Sequence, residues 1–402
     1  MNILYFIEEA KLGGPQVQMA RVAAMLAERA NIEIVMPEEN SEAFRQLCDE
    51  SGVRYRTFPI SRLTKEAGPL VTFFLRSPLE VVRLVRHVRQ TRPDFIHAWG
   101  GSWQIKAAIV SRLAGVPLIW LINDTKVPGV ILTMFRGFAR LCDGFIFASH
   151  RSADCYLRHI PPAAPTAVIQ SMVNLDAFDP VREYPGDEDF IASLGDATVV
   201  GMIANINPVK GIETFIRVAA HAQVSGLDTR FVVIGQVFPR QQAYFDRLKA
   251  LCLDLGATNL IFAGGRRDVR AVLKRFDIYL CTSVAESSPV AVWEAMAMGR
   301  AVVSTDVGDV PRFVQNGESG YIASVGDDLA LWRAVETLCA NRDLARRMGA
   351  AARTAAAVFG RAAIADQTMA FYRAVIGQGA DISVPTKTSQ GADLLAGGET
   401  SK

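Results

Sequence analysis

No two of the six cysteines (Cys48, Cys142, Cys155, Cys252, Cys281 and Cys339) form a CxxC pair. Neither a redox motif nor a disulfide framework is indicated, and the thiols read as reduced core residues, which points to a cytosolic address. The five histidines (His87, His97, His150, His159 and His221) show no metal-ligand spacing. A GxxxxGKS/T phosphate loop, a GxGxxG fingerprint, a GxSxG elbow and an HExxH zinc helix are all missing. Kinase, simple dehydrogenase, hydrolase and zinc-enzyme chemistries lose their support with them.

Long apolar runs are also scarce. The opening MNILYFIEEAKLGG has only Ile3 to Ile7, with no basic lead-in and two glutamates behind it, so it reads as a first strand rather than a signal peptide. The longest lipid-like stretch, about Pro69 to Leu75, falls far short of the roughly 20 residues a membrane span requires. A formal charge of +2 gives no general electrostatic reason to expect a nucleic-acid partner.

What is present is ample. A chain of 402 residues, half of it hydrophobic, can fill two ordinary domains with a large core. Short runs rich in Val, Ile and Phe alternate with segments of helical period: ILYFI, VQMARVAAMLAERA, IEIVM, SEAFRQLCDESG. Strand and helix in repeated alternation mean a parallel sheet covered on both faces. DFIHA, PLIWLI, DGFIFAS and TAVIQ complete a first doubly wound domain. Between Val173 and Asp189 the pattern lapses into a stretch with two prolines and many acids, which reads as a linker. TVVGMIAN, TRFVVIG, NLIFAG, DIYLCTS, RAVVSTD and SGYIA then build a second α/β domain of the same kind. Two tandem Rossmann-like sheets place their strand carboxyl ends, where open parallel sheets bind ligands, on a central cleft. The stretch from about Gly377 lacks apolar periodicity and is expected to be disordered.

From Arg54 to Arg92 nine basic residues stand against Glu66 and Glu80. In PLEVVRLVRHVRQ, Val81, Leu84, Val85 and Val88 share a stripe with Arg83, Arg86 and Arg89 largely off it. A solvated helix face accounts for this pattern, and so does a surface for an anionic lipid or a lipid-linked acceptor.

The chemistry is concentrated in FDIYLCTSVAESSPVAVWEAMAMGRAVVSTDVG, residues 276–308. A buried strand runs out at Ser283, a loop carries Glu286, Ser287 and Ser288, and a helix is expected from near Pro289, at its first position, to Gly299. The amides of Val290 and Ala291 then lack intrahelical acceptors, which makes the terminus an anion site for a diphosphate. Glu294 follows Pro289 by five residues, about 7.5 Å along the axis. The carboxylates of Glu286 and Glu294 can therefore hold different parts of one extended ligand.

The spacing Glu286, seven residues, Glu294, followed by AMAMG and AVVSTDVGDVP, resembles the donor-site signature of the family 4 retaining glycosyltransferases. Supporting fragments are Gly13 and Gly14 after the first strand, PDFIHAW at 93–99, VNLDAF at 173–178, NPVKG at 207–211 and FAGGRRDVRAVLKRFDIYLCTS. The resemblance spans residues 1–376 and implies two facing Rossmann-like domains of the GT-B type. On it, residues 1–180 form the acceptor side, 181–189 a linker and 190–358 the donor side. A helix at 359–376 crosses back to the first domain, and 377–402 is a tail. The resemblance further implies that Glu294 binds the donor ribose, that Glu286 contacts the transferred sugar, and that Lys210 neutralises the departing diphosphate. Ser288, Pro289, Val290 and Ala291 join the donor site. Gly13 and Gly14 would let the backbone approach the donor, since glycine permits unusual dihedrals and carries no side chain.

The chain departs from the family in two places. Five residues before the lysine, where many relatives carry arginine, stands Asn205, which donates a hydrogen bond but no charge; Arg266 or Arg267 could supply the missing cation. After PLIWLI, where relatives often present a histidine, the chain reads LINDT, which makes Asn123 and Asp124 candidates for sugar or acceptor contact, Asp124 equally being a helix or turn cap. His97 and Trp99 are acceptor-side candidates as well, His97 also reading as a structural histidine. Retaining transfer needs no dedicated base, because the departing phosphate oxygen can take the acceptor proton.

The expected function is a retaining, metal-independent glycosyltransferase with no cofactor. Its co-substrate would be a nucleoside diphosphate sugar, UDP-linked by the likeness of ESSP to variants among such users, and its acceptor a saccharide or lipid-linked hydroxyl at the inner membrane surface. A catalytically degenerate sugar-nucleotide-binding module and a nucleotide-sugar epimerase are the alternatives. Turnover separates the first from the enzyme, and interconversion of donor isomers without acceptor reveals the second.

Overall fold

The computed structural model describes residues 1–61, 67–125 and 127–377. The expected disordered tail lies outside the described residues except for Gly377.

The first sheet comprises β1 (Asn2–Phe6), β2 (Asn31–Pro37), β3 (Arg54–Phe58), β4 (Phe95–Ala98), β5 (Leu118–Ile122), β6 (Gly144–Phe147) and β7 (Thr166–Val168). Its order is β3-β2-β1-β4-β5-β6-β7 and every pairing is parallel. The second sheet comprises β8 (Thr198–Ile203), β9 (Thr229–Ile234), β10 (Leu260–Gly264), β11 (Ile278–Cys281), β12 (Ala301–Thr305) and β13 (Gly320–Ala323). Its order is β10-β9-β8-β11-β12-β13, again parallel. Strand order reverses between β1 and β4 and between β8 and β11. These are the switch points where the crevices of doubly wound sheets open.

The strands read as continuous apolar runs because both faces are covered. LIWLI of β5 and AVVST of β12 are buried at every position. One strand escaped the sequence pattern. RYRTF of β3 sits at the sheet edge with alternating exposure, so its arginines face water while the backbone pairs with β2. The basic stretch is thereby divided: Arg54 and Arg56 lie on β3, while Arg76, Arg83, Arg86 and Arg89 belong to helix Ala67–Thr91. Arg62, Lys65 and Glu66 lie outside the described residues. Val81, Leu84, Val85 and Val88 turn into the core, as their spacing requires.

Helix Arg361–Val375 follows the second domain in sequence but packs with the first. Ile364, Ala365, Met369, Phe371 and Tyr372 join the core that holds Ile3, Tyr5 and Phe95. Each fully buried side chain of this size contributes about 1.5–3 kcal/mol. The Tyr372 and Tyr5 hydroxyls meet at 2.9 Å, so this helix is tied to the first strand.

Candidate active site

A cleft of about 990 Å³ separates the carboxyl ends of the two sheets, at the upper end of the range of small-ligand sites. Its second-domain wall starts at the turn after β8. Asn207 caps the 3-10 turn Pro208–Lys210 by accepting from the Val209 amide at 3.1 Å. Gly211 then turns the chain at φ +59, and a Cβ there would stand 2.1 Å from the Thr282 carbonyl oxygen. Only glycine allows this turn to press onto the end of β11. Val284 N–H donates to the Val209 carbonyl at 2.8 Å, and the Thr282 hydroxyl to that of Lys210 at 3.2 Å.

The docked turn brings Lys210 Nζ to 2.6 Å from Glu286 Oε1, which also accepts from the Ser283 hydroxyl at 2.8 Å. Burial pulls the Lys210 ammonium down, but the charge and hydrogen bond of Glu286 more than offset it, so its pKa is raised. Lys210 is a fixed cation.

The helix runs Val290–Ala297, with Pro289 at the N-cap rather than the first helical position, because its ψ of 94 is extended. The stop is as expected: Gly299 takes φ +69 just past Met298. Pro289, Val290 and Ala291 line the cleft, as does Ser288. Glu294 is buried, which pushes its carboxyl above the ordinary glutamate value, and the charge and hydrogen bond of Arg21 draw part of that back. Arg21 reaches Glu294 Oε1 at 3.0 Å from helix Gly14–Met25 of the first domain. No sequence motif marked Arg21.

The two domains are also fastened beside the loop. Asp309 accepts from the His150 amide at 2.7 Å, His150 Nδ1 at 2.8 Å and Gln170 Nε2 at 2.5 Å. Burial works to raise its pKa, but the hydrogen bonds from His150 and Gln170 outweigh this and hold it below the ordinary aspartate value. The hydroxyls of Ser287 and Ser149 meet at 2.8 Å, and Ser288 Oγ accepts from the Ser171 amide at 2.9 Å and from Trp293 Nε1 at 2.9 Å. The serines of ESSP hold the loop against the first domain.

The first-domain wall has a different character. His97 Nδ1 accepts from Trp99 Nε1 at 3.0 Å and meets the Tyr372 hydroxyl at 2.7 Å. Indole is donor-only, so Nδ1 is an acceptor and the neutral ring carries its proton on Nε2. Burial drives the His97 pKa down to about 3. His97, Trp99 and Asn123 line the cleft, whereas Asp124 is not among its lining residues. Asp124 Oδ1 accepts from the Tyr156 hydroxyl at 2.5 Å, and Oδ2 from the Ser102 amide at 3.1 Å and hydroxyl at 3.0 Å. Burial pushes its pKa up, those bonds offsetting part. Its carboxylate ties two loops together.

The glycine pair also differs from expectation. Gly13 is extended at φ −157 and Gly14 opens a helix, so neither needs a glycine-only dihedral. Gly14 lines the cleft, with nothing within 4 Å of where its Cβ would be, while Gly13 is not among the lining residues. What remains is the lack of a side chain at Gly14. Asn205 lines the cleft and is exposed, accepting weakly from the Gln236 amide at 3.4 Å. Arg266 lines it too, but its Nε donates to Asp187 at 2.7 Å and its Nη1 to the Ala263 carbonyl.

Two family models match the chain: "Glycosyltransferase Family 4" over residues 12–177 and "Glycosyl transferases group 1" over residues 187–355. The lipopolysaccharide core biosynthesis mannosyltransferase LpcC of Rhizobium leguminosarum bv. viciae is 30% identical over 184 residues, 45% of this chain and 51% of that protein. The 2-deoxystreptamine N-acetyl-D-glucosaminyltransferase of Streptomyces fradiae is 26% identical over 373 residues, 85% of this chain and 86% of that one. In three dimensions the chain is similar to Anabaena HepE, crystallised with UDP and glucose, at a TM-score of 0.81 and 20% identity, covering 93% of this chain and 100% of that one. At that identity the likeness shows the fold, two Rossmann-like domains of the GT-B type.

Proposed function

The chain belongs to glycosyltransferase family 4, and on that premise we propose that it is a retaining, metal-independent enzyme. It would move a sugar from a UDP-linked donor to a hydroxyl of a growing glycan. The observation that carries this reading is the convergence, on one wall, of a fixed cation, two carboxylates at different depths and a helix terminus with unpaired amides.

Each part has a chemical task. The Val290 and Ala291 amides and Lys210 receive the diphosphate, whose negative charge grows as the bond from sugar C1 to phosphate oxygen breaks. A preplaced cation stabilises that growing charge more than the ground state. Glu294 accepts from the ribose hydroxyls and Glu286 from the transferred sugar, an acceptor-only role suited to carboxylates. The acceptor oxygen forms its bond to C1 on the face the phosphate leaves, and its proton passes to the phosphate oxygen. No side-chain base is required, which accords with His97 being neutral and hydrogen-bonded and Asp124 turned to the scaffold.

UDP is favoured by the ESSP loop and by the UDP in the HepE structure. An envelope glycan is favoured by the lipopolysaccharide-core relative, while the aminocyclitol relative keeps a small acceptor as the competing outcome. The test is incubation of the full chain with UDP-sugars and saccharide acceptors, reading the product's anomeric configuration by NMR. Retention is expected; an inverted anomer, or donor isomerisation without acceptor, overturns the reading.

Peripheral docking on the cytoplasmic face of a membrane belongs to the same proposal. Among the described residues no helix is long and apolar enough to cross a membrane. Helix Ala67–Thr91 nonetheless exposes Leu75, Leu79 and Val82 on one stripe, with exposed Arg76, Arg83 and Arg86 on it or beside it. Sedimentation with anionic but not neutral vesicles at physiological salt is expected, and equal recovery with both removes the docking.

A further inference from the structure

A diphosphate carries more negative charge than Lys210 alone offsets, and Asn205, which also lines the cleft, adds no charge. Among the described residues the cleft is lined by four permanent cations, Arg21, Lys210, Arg266 and Arg267. Lys210 already has its place beside Glu286. Arg266 is anchored elsewhere, with Nε on Asp187, Nη1 on a backbone carbonyl and its guanidinium 5.4 Å from the Phe190 ring centre. Arg267 is 80% exposed and paired with Glu50 at the surface. Arg21 is only 36% exposed, and the contact the structure shows for it is one bond, from Nη1 to Glu294.

That bond fixes where Arg21 hangs. Glu294 lies one turn into helix Val290–Ala297. Side chains on a helix tilt toward its N-terminus and cover the preceding turn. The Glu294 carboxylate, and the guanidinium bound to it, therefore lie over the turn that begins with Val290 and Ala291. One turn is about 5.4 Å, so an anion held by those amides is within reach of the Arg21 nitrogens that do not touch Glu294. A planar guanidinium can hold a carboxylate on one edge and a phosphate on the other.

We infer that Arg21 is the second cation of the donor diphosphate site, supplied across the cleft by the first domain, so that the site is complete only when the two domains face each other. Glu294 positions the guanidinium through Oε1 and keeps Oε2 for a ribose hydroxyl. The inference rests on the proposed donor site and adds to it a residue from the opposite wall.

The experiment is calorimetric titration of the full chain with UDP and GDP and with uridine and guanosine, in wild type, Arg21→Ala, Arg21→Lys and Arg266→Ala. With the better-bound diphosphate, Arg21→Ala is expected to weaken affinity about 10- to 100-fold, the range for losing a charge-assisted hydrogen bond. Arg21→Lys should recover part of it and Arg266→Ala should stay within about threefold, while nucleoside affinity is unchanged in every variant. Equal losses for diphosphate and nucleoside in Arg21→Ala would mean that the arginine only holds Glu294 and the domains in place, and would overturn the inference. So would no loss for either. If wild type binds neither diphosphate, the donor-site reading itself fails, and the inference falls with it.

Discussion

The second-domain wall of the cleft presents charged groups with capacity to spare, whereas the first-domain groups at the ends of β4 and β5 are held largely by their own fold. Lys210 touches one carboxylate and one face of a wide cleft, and Glu294 is buried with Arg21 as its one side-chain partner among the described residues. Opposite them, His97 takes Trp99 and Tyr372 on one nitrogen, and Asp124 accepts from Tyr156 and Ser102 on both oxygens. Asp124, with both oxygens taken by its own fold, has little left for a ligand, while His97 keeps a buried Nε2–H without a partner, so polarity near a cleft is a poor guide to chemistry until its partners are counted.

The largest effect that tests this contrast is Lys210→Ala, expected to lower turnover on the order of 100-fold or more by removing charge stabilisation of the leaving group. A fall below about tenfold in a sugar-transfer assay would put the lysine outside the chemistry.

Asp124→Asn should do the reverse. An amide has one acceptor oxygen, so either Tyr156 or Ser102 loses its partner, at a cost of about 1–3 kcal/mol. The expected outcome is a melting temperature lower by several degrees with turnover within about threefold of wild type. Unchanged melting with turnover down 100-fold would place Asp124 among the reacting groups and erase the distinction between the walls.

The smallest effect lies beneath the first wall. Glu8 follows β1, its Oε1 accepting from the Lys106 amide at 2.8 Å, and burial pushes its pKa up to about 7, with the Lys106 charge offsetting part. A carboxyl whose folded pKa lies above its unfolded value binds protons more tightly when folded. Its contribution therefore declines as pH rises from the ordinary 4.5 to about 7, then levels off. Glu8→Gln should flatten that slope and raise the melting temperature by a few degrees at pH 8, with no gain at pH 4. Parallel melting curves for the two proteins across that range would show that the group does not titrate there.

Legibility followed distance along the chain. The strand, loop and helix of 276–308 form one contiguous unit, so its spacing alone located Glu286, Glu294 and the helix terminus to within one residue, Pro289 being the N-cap. Strand β3 was missed because an edge strand shows water its charged face and lacks the apolar run of its buried neighbours. Arg266 and Arg267 are equivalent cation candidates in the sequence because Asp187, the partner that anchors Arg266, is 79 residues away.

The amino-acid order by itself determined the alternation of strands and helices, hence two parallel sheets, and the local motif that presents amides and carboxylates at one helix end. Periodicity and turn chemistry act over a few residues, which is why they can be read in a line. Only the folded molecule decided that Lys210 meets Glu286 and that Arg21 crosses 273 positions of sequence to Glu294. It also decided that Asp124 gives its charge to the scaffold. Those outcomes depend on which crossovers bring distant strand ends together and on which polar groups find partners there, and no local pattern encodes either.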